Sequence, residues 1–211
     1  MPKGIGAAAL LAVATVAGTP PRVTAAQSST DLASQALQEC VRGQSAGDRT
    51  TRKAHYERGE ALAERAIALD DRIAEAHFGV VCNLGELLRL DGEKLTSVFS
   101  LRRLLSEIDK TLNLDPGHVP AMATKGNLLV RLPRMLGGNP TEGERLLREV
   151  VRRDQLAVTS RITLARVYDG RGQRDEARQL ASQALAAAKQ KGRADKIAEA
   201  QAVVDQLGVA R

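Results

Sequence analysis

The chain has 211 residues, of which 43% are apolar, 27% charged and 2% aromatic, and it carries a formal charge of +6. That apolar fraction can bury a core, which excludes a disordered tail, and 18 Gly with 2 Cys exclude a collagen or a disulfide knot. With no Trp and only Tyr56, Phe78, Phe99 and Tyr168, there is almost nothing from which to build a stacking platform for single-stranded nucleic acid or sugars.

The first element has the pattern of a targeting segment. Met1-Pro2-Lys3 is short and basic, Gly4 to Ala17 is a run of small apolar residues broken only by Thr15, and Gly18-Thr19-Pro20-Pro21 ends it. Thr24, Ala25 and Ala26 suit a signal peptidase, and the apolar run is shorter than the roughly 20 residues of a spanning helix. The expectation is a cleaved secretory signal over residues 1–26 and a mature chain from Gln27, periplasmic or secreted from a bacterium, without stable membrane insertion. Gly4-Ile5-Gly6-Ala7-Ala8-Ala9 imitates a dinucleotide fingerprint, but no strand precedes it. Beyond the signal the charge is uneven. Residues 27–124 hold 12 basic and 15 acidic side chains, whereas residues 125–178 hold 12 and 7, so the C-terminal half can attract an acidic partner.

From Thr30 onward apolar residues recur at spacings of three and four, as in Leu32, Ala36, Leu37, Cys40, Val41, and sustained alternation is missing. The chain therefore reads as helices. Breaks fall at Gly43 to Asp48, Asp70-Asp71, Asp91-Gly92, Asp115-Pro116-Gly117, Gly137 to Pro140, Arg153 to Gln155, Gly170 to Gln173 and Gly192, which delimit about nine helices. The expected organisation is a leading helix pair over 27–71, further pairs over 73–116, 118–155 and 157–190, and a capping helix over 193–207. The sharpest junction is Gly137-Gly138-Asn139-Pro140: the Gly pair supplies a left-handed turn, Asn139 can cap the next helix, Pro140 fits its first position, and Glu142 is placed to reach back to the cap.

Aligned on Ala66, Thr111, Val150 and Ala184, the second helices of these pairs recur at separations of 45, 39 and 34 residues. The excess over the last interval falls at Arg89 to Ser100 and Pro133 to Asn139. In the third pair Leu164, Ala165 and Tyr168, Gly172 in the turn, and Ala177, Ala181 and Ala184 resemble the tetratricopeptide (TPR) repeat. The resemblance implies an all-α, right-handed superhelical stack of antiparallel helix pairs. Small residues must face each other where paired helices approach, and Ala165 with Ala177 and Gly126 with Gly143 are so spaced, while an incomplete leading copy contributes Gly59, Ala63 and Ala66. The chain departs from the pattern where its opening Trp is His77, Met122 and Arg161. A narrower resemblance lies in Gly126-Asn127-Leu128-Leu129-Val130-Arg131-Leu132-Pro133-Arg134-Met135-Leu136-Gly137-Gly138-Asn139-Pro140, which is similar to the helix, turn and new helix of secreted bacterial TPR-like proteins of the TRAP-transporter TatT type. It implies association with a periplasmic solute-binding protein, self-association into a homo-oligomer, and an apolar ligand passage lined by Phe99, Leu132 and Met135.

Catalytic patterns fail on context. Gly43-Gln44-Ser45-Ala46-Gly47 satisfies the nucleophile-elbow spacing but follows a helix-period segment instead of a strand. His55, His77 and His118 form no metal-ligand spacing, and neither a cofactor, a metal nor nucleic acid is expected. Cys40 and Cys82, on different helices of neighbouring pairs, permit a disulfide without requiring one. The expected function is that of a non-catalytic scaffold binding a peptide or protein in the concave groove formed by the first helix of each pair. Turned away from their packing residues, those helices present Phe78 and Cys82, then Ala123, Asn127, Val130 and Arg131, then Ile162, Arg166 and Asp169. The groove is either open or filled by the chain itself, with the inserted segment carrying Leu95, Val98 and Phe99 as the filler.

Overall fold

The structure is a computed structural model that describes residues 28–90 and 98–209. The signal-like segment, Gln27, the Asp91-Gly92 break and Leu95 lie outside the described residues. Within them are nine α-helices, one 3-10 turn and no strand: α1 (Ser29–Ser45), α2 (Arg49–Leu69), α3 (Ala74–Leu90), α4 (Val98–Leu114), α5 (Val119–Arg131), α6 (Pro140–Arg153), α7 (Val158–Gly170), α8 (Arg174–Lys191) and α9 (Ala194–Val209).

Local chemistry sets several of these boundaries. Ser28 caps α1 by accepting from the Asp31 amide at 3.1 Å while the Asp31 carboxylate accepts from the Ser28 amide, a reciprocal cap. Asp48 caps α2 through the Thr51 amide, and the His118 Nδ1 caps α5 through the Ala121 amide at 3.1 Å. Before α6 the chain makes a 3-10 turn over Arg134–Leu136, and Gly137 leaves it with φ +91°, a conformation that disfavours any side chain. Asn139 then accepts from the Glu142 amide at 3.2 Å and Pro140 takes the first helical position. The Glu142 carboxylate turns to Arg145, at 2.8 and 2.7 Å, and not back to the cap. One expected break moves: α1 runs through Gly43 to Ser45, because Gly43 is where the Tyr56 ring of α2 packs, and a Cβ there would lie 2.3 Å from it.

Each helix packs on the next, and α1 also touches α3, α5 touches α7 and α7 touches α9, so antiparallel pairs stack side by side into an α-solenoid. The pairs meet through small residues. Between α5 and α6 a Cβ on Gly143 would lie 2.8 Å from the Gly126 carbonyl oxygen, and one on Gly126 would lie 2.9 Å from Leu147. Between α7 and α8 the contact is Ala165, Ala177 and Ala181, all fully buried, and Ala184, Ala188, Ala200 and Val203 carry it on to α9. The first pairs are bulkier, with Val80, Val81 and Leu84 against Leu104 and Ile108.

Several polar side chains sealed in this core join one helix to another, while the Tyr56 hydroxyl, the Asn83 side-chain oxygen and the Arg161 Nε have no hydrogen-bond partner. The Asn83 side-chain amide donates to the Ala36 and Gly79 carbonyls at 3.0 and 2.8 Å, tying α1 to α3. His77, 2% exposed, sets Nδ1 2.6 Å from Glu107 on α4 and Nε2 2.8 Å from the Asp71 carbonyl. Cys40 and Cys82 form a disulfide between α1 and α3, with Cα atoms 6.1 Å apart. The first pair is thus cross-linked to the second.

Candidate functional site

The concave side of the stack is an open groove of about 580 Å³. α3, α5 and α7 build its floor, as the helical phase dictates: on α3 the groove takes Phe78, Cys82, Glu86 and Arg89, on α5 Ala123, Asn127 and Arg131, on α7 Thr159, Thr163 and Arg166. Each set is spaced by three and four, one face of its helix. Two contacts fix the floor. Phe78 packs on the His118 ring with centroids 4.5 Å apart. The Thr163 hydroxyl donates to the Asn127 side-chain oxygen at 2.5 Å, and the Asn127 amide donates to the Ala123 carbonyl at 2.7 Å, so α5 and α7 are joined at the middle of the groove.

Of the nine positions expected in the groove, Phe78, Cys82, Ala123, Asn127, Arg131 and Arg166 line it. Val130, Ile162 and Asp169 do not. Val130 leans over the α5–α6 crossing, where its Cγ2 would lie 2.8 Å from a Cβ on Gly143. Ile162 is fully buried with Ala165, Ala177 and Ala181. The Asp169 carbonyl accepts from the Gly172 amide in the α7–α8 turn, beyond the groove's edge. The error on α7 is one residue of helical phase: its groove face runs through Thr163, and Ile162, about 100° around the helix, faces α8 instead.

Sequence reasoning also missed an entire wall. The corner between α8 and α9 brings Lys191, Arg193, Lys196 and Glu199 to the groove, facing Gln44, Glu86 and Arg89 at the other end. With these the lining carries six cationic side chains, Arg89, Arg131, Arg166, Lys191, Arg193 and Lys196, against the three acids Glu86, Asp154 and Glu199. Neutralisation is local: Glu86 takes Arg89 at 2.5 Å and accepts from Gln44 at 3.1 Å, Glu199 takes Lys196 at 2.8 Å with Arg166 at 3.9 Å, and Asp195, outside the lining, takes Arg193 at 2.8 Å. Burial alone would push the Arg89 guanidinium down, but Glu86 outweighs it and holds the group above its ordinary value. The excess of positive charge makes the cleft attractive to anionic groups before contact.

The inserted segment does not fill this cleft within the described residues. Val98 and Phe99 begin α4 at 42% and 80% exposure and are not part of the lining. Of the residues expected along an apolar passage, Phe99 is 80% exposed, Met135 is 88% exposed on the 3-10 turn and Leu132 is half-buried. Ser45 of the nucleophile-like motif closes α1 and donates to the Val41 carbonyl at 3.1 Å, the geometry of a helix end.

No family model matches the chain, and no curated protein matches it. Among solved structures it is similar to one described as "MamA RS-1 ArsTM double mutant", with 18% identity, a TM-score of 0.47, and coverage of 82% of this chain and 94% of that one. The helical-repeat architecture stated above rests on the pairing and stacking of the helices themselves.

Proposed function

We propose that the chain is a non-catalytic extracytoplasmic interaction module that holds an extended acidic segment of a protein partner in its concave groove. The observation that carries this reading is the groove lining: an apolar and amide floor of Phe78, Ala123, Leu128 and Asn127 beneath six cationic side chains and three acidic ones. An extended peptide would set apolar side chains on the floor and meet Arg131, Arg166 and the α8–α9 corner with carboxylates. The extracytoplasmic placement is supported by the signal-like pattern of residues 1–26 and by a Cys40–Cys82 bond, which an oxidising compartment preserves.

The transport-accessory reading is a narrower form of the same proposal, in which the partner is a periplasmic solute-binding protein and the module self-associates. It rests on the resemblance carried by Gly126 to Pro140, and Phe99 and Met135 are the exposed apolar side chains that self-association would cover.

The test places a photocrosslinking side chain at Ala123 on the groove floor or, as a control, at Leu69, which is 62% exposed on α2 and outside the lining. In cells of the native host the expected result is one stoichiometric crosslinked partner from position 123 and none from 69. A protein that purifies alone, or equal capture from both positions, overturns the reading.

A further inference from the structure

Outside the groove lies a second pocket, where the α6–α7 connection meets α8. Arg153, Asp154, Gln155 and Leu156 line it on one side, Gln183 and Gln190 on the other, and Arg161 of α7 at its base. Arg161 stands out among the described cations. It is 6% exposed, and its fully buried Nε has no hydrogen-bond partner. One terminal nitrogen donates to the Asp154 and Ala157 carbonyls, both at 3.3 Å, long for hydrogen bonds to a charged donor. Burial of the guanidinium pushes it down from its ordinary value, with the Asp154 charge the only counterweight, and the Asp154 carboxylate is already engaged by the Leu156 amide at 2.7 Å.

The equivalent position in the first full repeat shows what is missing. There His77 is buried in the same register and faces the Glu107 carboxylate at 2.6 Å. With Thr111 aligned on Ala184, the place of Glu107 falls to Leu180 in the third repeat. In the second repeat the position is Met122, buried in an apolar cluster with no charge to satisfy. A cation in a site built for an apolar or anion-paired residue is costly unless an anion is supplied from outside.

We propose that the Arg161 pocket is a binding site for a small carboxylate, which completes the guanidinium's fork while Gln183 and Gln190 donate at its rim. A monoanion is favoured over a phosphate by charge. Arg153 is held by Glu149 and the Asp154 charge offsets Arg161, so the pocket has no surplus of positive charge with which to hold a dianion.

The site is read directly from the Arg161 Nε–Hε resonance of the ¹⁵N-labelled protein, assigned by its loss in Arg161→Met. That variant is expected to fold, since Met122 fills the corresponding place one repeat earlier. Acetate is titrated against chloride at constant ionic strength. The expected result is a saturating shift of that resonance at roughly millimolar acetate, as a ligand of so few atoms allows, with the Gln183 and Gln190 side-chain amides reporting binding at least tenfold weaker in Arg161→Lys and no saturating shift in Arg161→Met. A peptide carboxylate and its amidated twin, Ala-Ala against Ala-Ala amide, separate a chain terminus from a free small acid as the source, and either outcome with acetate bound upholds the site. Absence of a saturating shift, an equal response in Arg161→Met, or tighter binding of inorganic phosphate than of acetate overturns it.

Discussion

Reducing the Cys40–Cys82 bond perturbs the stack without altering a single side chain's volume elsewhere, which makes its consequence calculable. The cysteines are separated by 42 residues, and the loop they close in the unfolded chain contains the α1–α2 turn, all of α2 and half of α3. In the chain-entropy picture, closing a loop of that length removes unfolded-state freedom equivalent to about 4 kcal/mol at 25 °C. The native state gives little of this back on reduction, since Cys40 stays fully buried in the core and α1 still contacts both α2 and α3. With a urea slope of about 2 kcal/mol/M, the unfolding midpoint of the reduced protein should fall by about 2 M. The assay is urea unfolding followed by far-UV circular dichroism, with and without reductant. Coincident midpoints would refute the reasoning, and so would an equal fall in a Cys40→Ala, Cys82→Ala protein treated with reductant, where no bond exists to break.

Three further outcomes follow from the geometry. Gly143→Ala pushes a methyl to 2.8 Å from the Gly126 carbonyl oxygen, where backbone cannot yield, and should destabilise by about 1–3 kcal/mol, whereas Gly47→Ala, with no neighbour within 4 Å, should change stability by less than about 0.5 kcal/mol; equal midpoints for the two would contradict the close α5–α6 approach. Ile162→Ala should cost about 2–4 kcal/mol, as a fully buried core position, while Phe99→Ala, at 80% exposure, should cost almost nothing; the reverse order in thermal melts would return Ile162 to the groove and Phe99 to the core. Burial alone would raise the Glu107 carboxyl, but Lys110 and His77 outweigh it, and His55, Arg42 and Arg58 do the same for Glu39, so both lie below the ordinary 4.5. A depressed carboxyl contributes stability that is present above its unfolded value and lost as pH falls through the folded one. Unfolding free energy should therefore decline as pH drops below about 4.5, and less steeply in Glu107→Gln; a slope unchanged by that substitution would remove the Glu107 assignment.

What the sequence makes legible is what local chemistry decides. Spacings of three and four give the helices, Ser28, Asp48 and Asn139 mark their starts, and pairs such as Ala165 with Ala177 announce where helices must approach. Gly143 and Gly126 were readable for the same reason. What eludes it are quantities set by the whole stack. A one-residue error of phase on α7 exchanges Ile162 for Thr163, because both spacings keep apolar residues on a plausible inner face and only the position of α8 chooses between them. The contribution of Arg193 and Lys196 is invisible in their own segment, which reads as a terminal cap; curvature carries that corner round to face Glu86 and Arg89. Of the segment expected to fill the groove, Val98 and Phe99 are apolar and yet lie outside the groove lining at the start of α4, 42% and 80% exposed. In the sequence Arg161 is a departure from a repeat pattern, and only the packed helices show that it lacks the carboxylate which Glu107 supplies to His77.

The central claim, a basic groove that takes an extended acidic segment, is tested most directly by peptide selection. A random peptide library is displayed against the protein, and the enriched peptides are titrated into it and into Arg131→Glu, Arg166→Glu, whose substitutions lie in the cleft lining. The account predicts enriched peptides with Asp or Glu flanking apolar residues, binding that weakens as salt is raised, and at least tenfold loss in the charge-reversed protein. Peptides without acidic residues, or with affinities indifferent to the reversal, would contradict it.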